Sequence, residues 1–336
     1  MVPGMLKDSY LRTHDYLRVS ITDKCNLRCR YCMPPEGVEF LPHDLVLRNE
    51  EFIRIIGLFV SLGVVKVRFT GGEPLVRKGL VDILSETGRR FPGVELCLTT
   101  NGTILGDYID DLRRIGVRKL NISLDTLSPE TYRDITGKDG LADVVRNIDR
   151  ALSTGDFDIK INAVLMNETL DTLDDYLDFF KDRNVTLRFI ERMPFTEEDG
   201  CYSYLPADRL IEGLGTRGEL ARNMTIDTSV AMMYEFRYRG RFPIRIGVIP
   251  AISKKFCSSC NRLRITSDGY FKTCLHSSQE YDLKGLMRSG ADDRTLHDFI
   301  VAALSEKKGE HTLECRPEGG GCSALTPSRA MSKIGG

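Results

Sequence analysis

The sequence predicts an α/β fold in which an incomplete (βα)6 TIM-like barrel is followed by a smaller C-terminal module. Three observations support this class: six short β-rich runs alternate with helical periodicity, the runs are apolar on one face, and the alternation stops near residue 195. With 336 residues, the chain is about twice as long as a typical domain of roughly 150 residues. We therefore expect one division of the chain, into residues 1–200 and 201–336.

The predicted strands are short runs rich in β-branched and aliphatic residues. They cover 17–22, 64–69, 94–99, 117–123, 159–165 and 185–191. Segments with helical periodicity lie between them at 49–62, 79–90, 143–153 and 171–181. Because a connection that contains a helix joins parallel strands, this order predicts a parallel sheet.

The predicted strands have one apolar and one polar face. In the second run, Val65, Val67 and Phe69 share one face, whereas Lys66 and Arg68 share the other. A complete barrel has a packed apolar interior, and a doubly wound parallel sheet is apolar on both faces. The persistent polar face therefore favours an open barrel with a cavity for polar ligands. A solvated antiparallel sheet would conflict with the helical connections.

The elements change beyond residue 195. A helix is expected at 208–214, followed by basic strand-like segments and a hairpin at 262–274. Asp268 and Gly269 are typical of a two-residue type I′ turn, which would place Cys274 opposite Leu263. Residues 316–336 are rich in Gly, Ser and Pro, and their composition alone predicts a disordered tail.

The charge distribution narrows the class of ligand. The chain has 47 Lys and Arg against 48 Asp and Glu, a net charge of −1, and is 41% hydrophobic, which is typical of a folded globular protein. No acidic residue occurs between Phe236 and Ser267, where eight basic residues lie. This local positive field suits a compact phosphorylated molecule better than a nucleic acid, although a solvated basic hairpin would have the same composition.

No feature of the sequence predicts export or membrane insertion. The longest nearly uncharged apolar run lies between Arg54 and Lys66, far short of the roughly 20 residues of a membrane helix. The first residues contain no apolar core of a signal peptide. We expect a cytoplasmic protein without a membrane partner. In that reducing compartment, its ten cysteines indicate metal ligands or core residues rather than disulfides.

The first of two cysteine groups follows the first predicted strand directly. Cys25, Cys29 and Cys32 lie within eight residues, and soft thiolates favour an iron–sulfur cluster or zinc. Three thiolates would leave one iron of a four-iron cluster open to a substrate or cofactor. Structural zinc instead takes four ligands from the protein.

The second group lies in the C-terminal module. Its members are Cys257, Cys260 and Cys274. Cys315 and Cys322 could add a fourth thiol, so a four-cysteine zinc site is an alternative. Cys97 lies in a predicted strand and Cys201 in a predicted loop, and we interpret both as ordinary cysteines.

Five segments resemble a known family. The C-x3-C-x2-C spacing of the first group resembles the radical S-adenosylmethionine (SAM) superfamily. The chain resembles the GTP 3′,8-cyclase family from about residue 10 to the last residue. Besides that loop, the resemblance rests on the segments LRVSITDKC (17–25), YCMP (31–34), RFTGGEP (68–74), FCSSCNRLR (256–264) and the terminal IGG. Two departures are Lys24, where the family often has Arg, and Pro194-Phe195 after Met193. Residues 197–234 do not align with the family pattern.

The resemblance implies the cofactors and the residues that contact them. Cys25, Cys29 and Cys32 would hold a first 4Fe-4S cluster that binds SAM, and the second group would hold a second 4Fe-4S cluster that binds guanine. The expected SAM contacts are Tyr31, Gly72, Ser123 and Met193. The expected GTP contacts are Arg18, Arg68, Thr99, Lys160, Arg262, Leu263 and Arg264. The expected catalytic residues are Arg18, Arg262, Arg264, Gly335 and Gly336, with the two glycines reaching into the cavity.

The resemblance also implies a lyase that cyclises GTP through a 5′-deoxyadenosyl radical, at the first step of molybdenum cofactor biosynthesis. Its implied partners are a low-potential electron donor such as flavodoxin or ferredoxin, and cyclic pyranopterin monophosphate synthase downstream. We expect a monomer or homodimer that binds no nucleic acid. Two alternatives are another two-cluster radical SAM enzyme acting on a peptide, and a zinc-ribbon protein that binds nucleic acid.

Overall fold

Six parallel strands form the centre of the sheet. The computed structural model describes residues 5–33, 37–194, 204–223, 230–315, 322–323 and 329–335. The central strands are β1 (Tyr16–Ser20), β2 (Lys66–Thr70), β3 (Glu95–Thr100), β4 (Lys119–Ser123), β5 (Asp158–Leu165) and β6 (Thr186–Glu191). Neighbours in the chain are neighbours in the sheet, and all pair in parallel. The prediction of six parallel strands is confirmed.

Seven helices follow these strands within the described ranges up to residue 194. They are α1 (Asn49–Ser61), α2 (Leu80–Arg90), α3 (Ile109–Ile115), α4 (Pro129–Thr136), α5 (Leu141–Ser153), α6 (Asn167–Asp171) and α7 (Leu173–Phe180). The four predicted helices are present as α1, α2, α5 and α7, whereas α3, α4 and α6 were not among the predicted segments. α4 begins where the Ser128 side chain accepts a hydrogen bond from the Thr131 amide.

The C-terminal strands extend the same sheet at both edges. After α8 (Ala207–Gly215), the strands are β7 (Gly218–Arg222), β8 (Met232–Tyr238), β9 (Phe242–Ile249), β10 (Arg262–Ile265), β11 (Tyr270–Lys272) and β12 (Tyr281–Asp282). β9 lies parallel to β6, and β10 lies parallel to β1. The resulting order is β12-β11-β10-β1-β2-β3-β4-β5-β6-β9-β8-β7. Strands on both sides of the predicted boundary at residue 200 therefore share one sheet, and the division itself stays a prediction.

The remaining elements are short or lie at the surface. They are α9 (Leu283–Arg288), α10 (Asp293–Ser305), β13 (Glu314–Cys315), β14 (Cys322–Ser323) and α11 (Met331–Ile334). Across the ranges that the structure describes, no helix combines the length and apolar character that crossing a membrane requires.

The hairpin at β10–β11 has a different register from the predicted one. Ile265 pairs with Phe271, and the Thr266 amide donates to the Tyr270 oxygen at 2.9 Å, which leaves a three-residue loop at 267–269. Gly269 has φ +84, as expected for the left-handed residue of such a loop. The Thr266 hydroxyl stabilises the loop by donating to Asp268 at 2.6 Å. The predicted two-residue turn is wrong, and this register, continued two residues further, places Cys274 opposite Arg262 rather than Leu263.

The two faces of the central strands differ as predicted. Val67 and Phe69 are fully buried in the apolar core that the helices cover. Val65 is the exception: it precedes β2 and is 54% exposed, so its assignment to the apolar face is wrong. The opposite face, which carries Lys66 and Arg68, lines a cavity. The open barrel thus places its polar side chains around an internal space.

Candidate active site

A cavity of about 870 Å³ lies on the polar face of the sheet. All six central strands contribute side chains to its wall, together with β9 and β10. Both cysteine groups line it, as do the expected SAM contacts and all expected GTP contacts except Leu263. Its volume is near the upper end of ordinary ligand cavities, roughly 300–1,000 Å³. Both groups of thiols therefore line the same cavity.

The first cysteine group lies on the loop that follows β1. Its thiols are half-buried. The Leu27 amide lies 3.4 Å from the Cys25 sulfur, and the Asn101 side-chain amide lies 3.9 Å from it. Burial raises the pKa of Cys25 and raises that of Cys29 further, the latter with help from the neighbouring Cys32 thiol. Amides directed at a thiol sulfur would stabilise the thiolate that forms when a metal displaces the proton.

The second group lies beside β10, where Cys257 begins a short 3₁₀ turn and Cys274 follows β11. Burial raises the pKa of Cys257, and electrostatic interaction with Cys274 and Cys260 raises it further. Arg12 anchors the turn from the N-terminal segment, because its guanidinium donates to the main-chain oxygens of Cys257 and Gly309 at 2.7 Å each.

The donor sets fit iron–sulfur clusters better than single zinc ions. In the described part of the chain, no three His, Cys, Asp or Glu side chains converge closely enough to hold one metal ion. A structural zinc ion takes four ligands from the protein, whereas three thiolates can hold a 4Fe-4S cluster and leave one iron open. The main chains of Cys315 and Cys322 are opposite each other in the β13–β14 strand pair. Cys201 lies outside the described residues. Cys97 is buried in β3 and does not line the cavity.

Buried arginines give the cavity a strong positive potential. Burial lowers the pKa of Arg18 to about 10 and that of Arg188 to about 9, and burial lowers the pKa of Arg264 strongly. Among the charged groups with the largest effect on the pKa values of Arg188 and Arg264, none is a carboxylate. Charged groups that are removed from water need a compensating partner. The cavity therefore suits a ligand with several negative charges.

Tyr16 lies among these cations and can balance part of their charge. Its hydroxyl oxygen accepts a hydrogen bond from Arg68 Nε at 2.6 Å, and Arg68 also donates to the main-chain oxygen of Leu98 at 2.7 Å. Burial by itself raises the pKa of Tyr16, but the surrounding arginines outweigh burial and lower it to about 8. Tyr16 thus orients Arg68 and can itself become an anion.

The expected SAM contacts lie at the carboxyl ends of the strands. Tyr31 donates to Asp125 at 2.6 Å, and Asp125 also accepts the Val164 amide at 2.8 Å. Ser123 ends β4, and the Met193 sulfur lies 3.2 Å from a ring nitrogen of His276.

Gly72 has a packing role that the sequence did not reveal. A Cβ atom there would lie 2.5 Å from the main-chain oxygen of Lys24. Its amide donates to the Thr22 oxygen at 2.7 Å, and the Glu73 amide donates to the Lys24 oxygen at 2.8 Å. The glycine therefore allows the turn after β2 to pack directly against the loop that carries the first cysteine group.

Several site residues were missed from the sequence. Glu73 accepts the Asn101 amide at 2.7 Å and the Thr100 hydroxyl at 2.8 Å, yet burial raises its pKa to about 7. It thereby holds Asn101 beside the Cys25 sulfur. Arg188 could have been found by strand parity, because it alternates with apolar residues on β6. Glu73, Asp125 and Asn101 carried only the weaker signal of polar residues at strand ends.

One expected GTP contact requires restriction, and the expectation from composition for the tail requires correction. The Leu263 side chain is fully buried in the apolar core, so only its main chain could meet a nucleotide. The prediction of disorder from composition is wrong for 329–335, because α11 forms there and Gly335 packs against the site. The Gly335 oxygen accepts a hydrogen bond from Arg264, and a Cβ atom on Gly335 would lie 2.5 Å from the Thr70 hydroxyl oxygen. Gly336 lies outside the described residues.

Comparisons with known proteins agree with this arrangement. Residues 19–180 match the Radical SAM superfamily, and residues 185–313 match Molybdenum Cofactor Synthesis C. The chain is 37% identical to a GTP 3′,8-cyclase from Desulforamulus reducens, covering 98% of this chain and 99% of that protein. It is 40% identical to a GTP 3′,8-cyclase from Rhodococcus opacus, covering 98% and 93%.

A solved structure shares the fold. The crystal structure of Streptococcus suis SuiB bound to S-adenosylmethionine superposes with a TM-score of 0.61 over 86% of this chain and 68% of that chain. At 15% identity, this likeness concerns the fold alone. From the two family matches and the relatives that span nearly its whole length, the chain belongs to the GTP 3′,8-cyclase family of the radical SAM superfamily.

Proposed function

We propose that this chain converts GTP to (8S)-3′,8-cyclo-7,8-dihydroguanosine 5′-triphosphate in the cavity between its two cysteine groups, as the first step of molybdenum cofactor biosynthesis. The observation that carries the proposal is that both thiol groups and the buried arginines line one cavity. A reaction that joins two parts of one nucleotide needs the radical source and the nucleotide within reach of each other. Two unconnected metal sites would not allow this.

The cysteines and their neighbours supply the cofactor sites. Cys25, Cys29 and Cys32 are assigned to the first 4Fe-4S cluster, and the second group to the second. When bound, the first cluster with SAM supplies a 5′-deoxyadenosyl radical, and the second supplies an open iron for guanine. Tyr31, Gly72, Ser123 and Met193 are assigned to SAM.

The cations orient the nucleotide. We assign one hydroxyl and five cationic side chains to GTP: Thr99, Arg18, Arg68, Lys160, Arg262 and Arg264. We add Arg188, because it lines the same cavity. Arginine can present two parallel donors to phosphate oxygens, whereas lysine acts as a point charge. Gly335 lies beside Arg264, and its lack of a side chain allows the tail to pack against Thr70. Fixed positions and exclusion of water protect a carbon radical from side reactions.

The partners follow from the chemistry of the reaction. Radical formation needs one electron from a low-potential donor, for which flavodoxin or ferredoxin is suited. The cyclised product is consumed by cyclic pyranopterin monophosphate synthase in this proposal. We place the reaction in the cytoplasm, where reduced thiols persist. A monomer or a homodimer is compatible with the site, because one chain contributes both cysteine groups.

Anaerobic reconstitution tests the proposed function. After addition of iron and sulfide, we expect about eight irons per chain, from two clusters of four. With SAM, GTP and a strong reductant, 5′-deoxyadenosine should form only in the presence of GTP and should accompany cyclised product. A protein that ignores GTP would support the peptide-modifying alternative. A zinc-containing colourless protein would support the nucleic-acid-binding alternative.

Tyr16→Phe should change how GTP binding depends on pH. In the GTP-free enzyme, Tyr16 has a pKa of about 8. The negative charge of a bound triphosphate disfavours the phenolate form of Tyr16, so GTP binding raises the pKa of Tyr16. Above pH 8, where the phenol is ionised in the free enzyme, GTP therefore binds together with a proton. The dissociation constant of wild type should therefore increase by up to about tenfold per pH unit above this pKa.

Tyr16→Phe has no phenol to titrate, so its GTP dissociation constant should lack this increase. Equilibrium dialysis of GTP between roughly pH 7 and 9 measures both proteins, and ionisation of the nucleotide itself affects them equally. Parallel pH profiles for the two proteins would show that Tyr16 does not face the triphosphate.

A further inference from the structure

We infer that Arg329 is a positioning residue that fixes the C-terminal tail on the β10–β11 hairpin, so that Gly335 reaches Arg264. The inference rests on the proposed function, because it explains how the tail is held at the nucleotide site. Arg329 does not line the cavity itself. It acts through the main chain that follows it.

Arg329 bridges two carboxylates. Its Nη1 atom donates to Asp268 Oδ2 at 2.5 Å, and its Nε atom lies 2.7 Å from Glu280 Oε2. The guanidinium carbon also lies 4.7 Å from the centre of the Tyr270 ring. The Arg329 side chain is 17% exposed, and those of Asp268 and Glu280 are 9% and 12% exposed. This arrangement, the Arg329 clamp, is therefore largely shielded from solvent, where ion pairs are screened least.

The two carboxylates are themselves fixed to the hairpin. Asp268 accepts the Thr266 hydroxyl at 2.6 Å within the β10–β11 loop. Glu280 pairs at 2.9 Å with Lys272, whose fully buried side chain belongs to β11. Arg329 thus attaches the tail to a preformed acceptor pair.

The other end of the tail meets the same hairpin. Ile334 is buried, the Gly335 amide donates to the Met331 oxygen at 3.0 Å, and Arg264 donates to the Gly335 oxygen. Only six positions separate Arg329 from Gly335 (335 − 329). Since β10 carries Arg264 and Cys274 follows β11, the clamp sets the tail relative to the proposed nucleotide site.

A lysine cannot replace this arginine fully. The planar guanidinium directs two donors at two carboxylates while it stacks on Tyr270, and one ammonium group cannot reproduce both contacts and the stacking. We therefore expect Arg329→Lys to hold the tail better than Arg329→Gln and less well than wild type. That order separates the geometry of the clamp from its charge alone.

The test compares reconstituted holoenzymes of wild type, Arg329→Lys, Arg329→Gln and Asp268→Asn. Arg288→Gln is the matched control, because Arg288 pairs with Glu51 at 2.8 and 3.0 Å and neither residue lines the cavity. Hydrogen exchange of residues 330–336, measured without GTP or SAM, reports how firmly the tail is docked. The ratio of cyclised product to 5′-deoxyadenosine reports how well radical formation is coupled to cyclisation.

In Arg329→Gln, we expect tail amides to exchange about tenfold or more faster, as for a locally released segment. The product ratio should fall severalfold, iron content should stay at the wild-type value, and Arg288→Gln should match wild type in both readouts. Unchanged exchange and an unchanged ratio in Arg329→Gln would overturn the inference. If Arg329→Gln loses iron, Asp268→Asn takes its place: unchanged tail exchange and an unchanged product ratio in that variant would overturn the inference.

The design also separates this inference from the proposed function. If wild type forms no cyclised product from GTP, the proposed function fails. The exchange comparison needs no nucleotide, so it still decides whether Arg329 holds the tail.

Discussion

Cys257→Ala should abolish formation of the cyclised nucleotide and reduce the iron content from about eight to about four per chain. Cys257, Cys260 and Cys274 are the three thiols beside β10, and two thiolates hold a four-iron cluster poorly. The first group lies on the loop after β1 and keeps all its ligands. In the proposed function, loss of the second cluster removes the anchor for guanine, so C8 would no longer be held near the ribose.

Cys97→Ala is the matched control for this experiment. Cys97 is fully buried in β3 and does not line the cavity. This variant should keep about eight irons and form product, because it removes a thiol without touching either cluster. Iron analysis and product chromatography measure both variants. Cyclised product from Cys257→Ala at the wild-type rate would show that the second group has no part in the reaction.

Gly72→Ala should lower the rate of SAM cleavage by on the order of 10²-fold, as expected when reacting groups are displaced by about 1 Å. The added Cβ would lie 2.5 Å from the Lys24 oxygen and 2.7 Å from the Asp23 oxygen. Both atoms belong to the main chain, so the loop must move as a whole, and Cys25 is the next residue. The first cluster is therefore displaced or lost.

The second cluster should survive this substitution, because the nearest atoms that a Cβ on Gly72 would meet all belong to the loop of the first cysteine group. Gly93→Ala is the matched control, since a Cβ at Gly93 would have no neighbour within 4 Å. The rate of 5′-deoxyadenosine formation and the iron content are measured for both variants. Wild-type cleavage by Gly72→Ala would mean that the loop tolerates the displacement and that close packing at Gly72 is not required.

The consequence of both predictions is that the two cysteine groups can be disabled separately. The first group lies on the loop after β1, whereas Cys257 and Cys260 precede β10 and Cys274 follows β11. Loss of the second should leave the first assembled, and displacement of the first should leave the second assembled. A chain in which either substitution removes all iron would indicate that the two loops fold as one unit.

The sequence by itself determined the local pattern of this protein. The helical connections between β-rich runs predicted the six parallel strands. Alternation placed Arg68 and Lys160 on the polar face, because side chains on a strand alternate with a period of two. Cysteine spacing indicated two metal sites, because three thiols close in the chain can converge on one centre. These are short-range properties, and each is encoded within a few residues.

Only the tertiary structure decided which distant segments meet. It placed β10 beside β1, fixed the hairpin register that the turn residues did not, and turned Leu263 into the core. It also paired Arg329 with Asp268 and brought Gly72 against Lys24. Contacts of this kind depend on the packing of the whole sheet and on burial of charge, which no local window of sequence records.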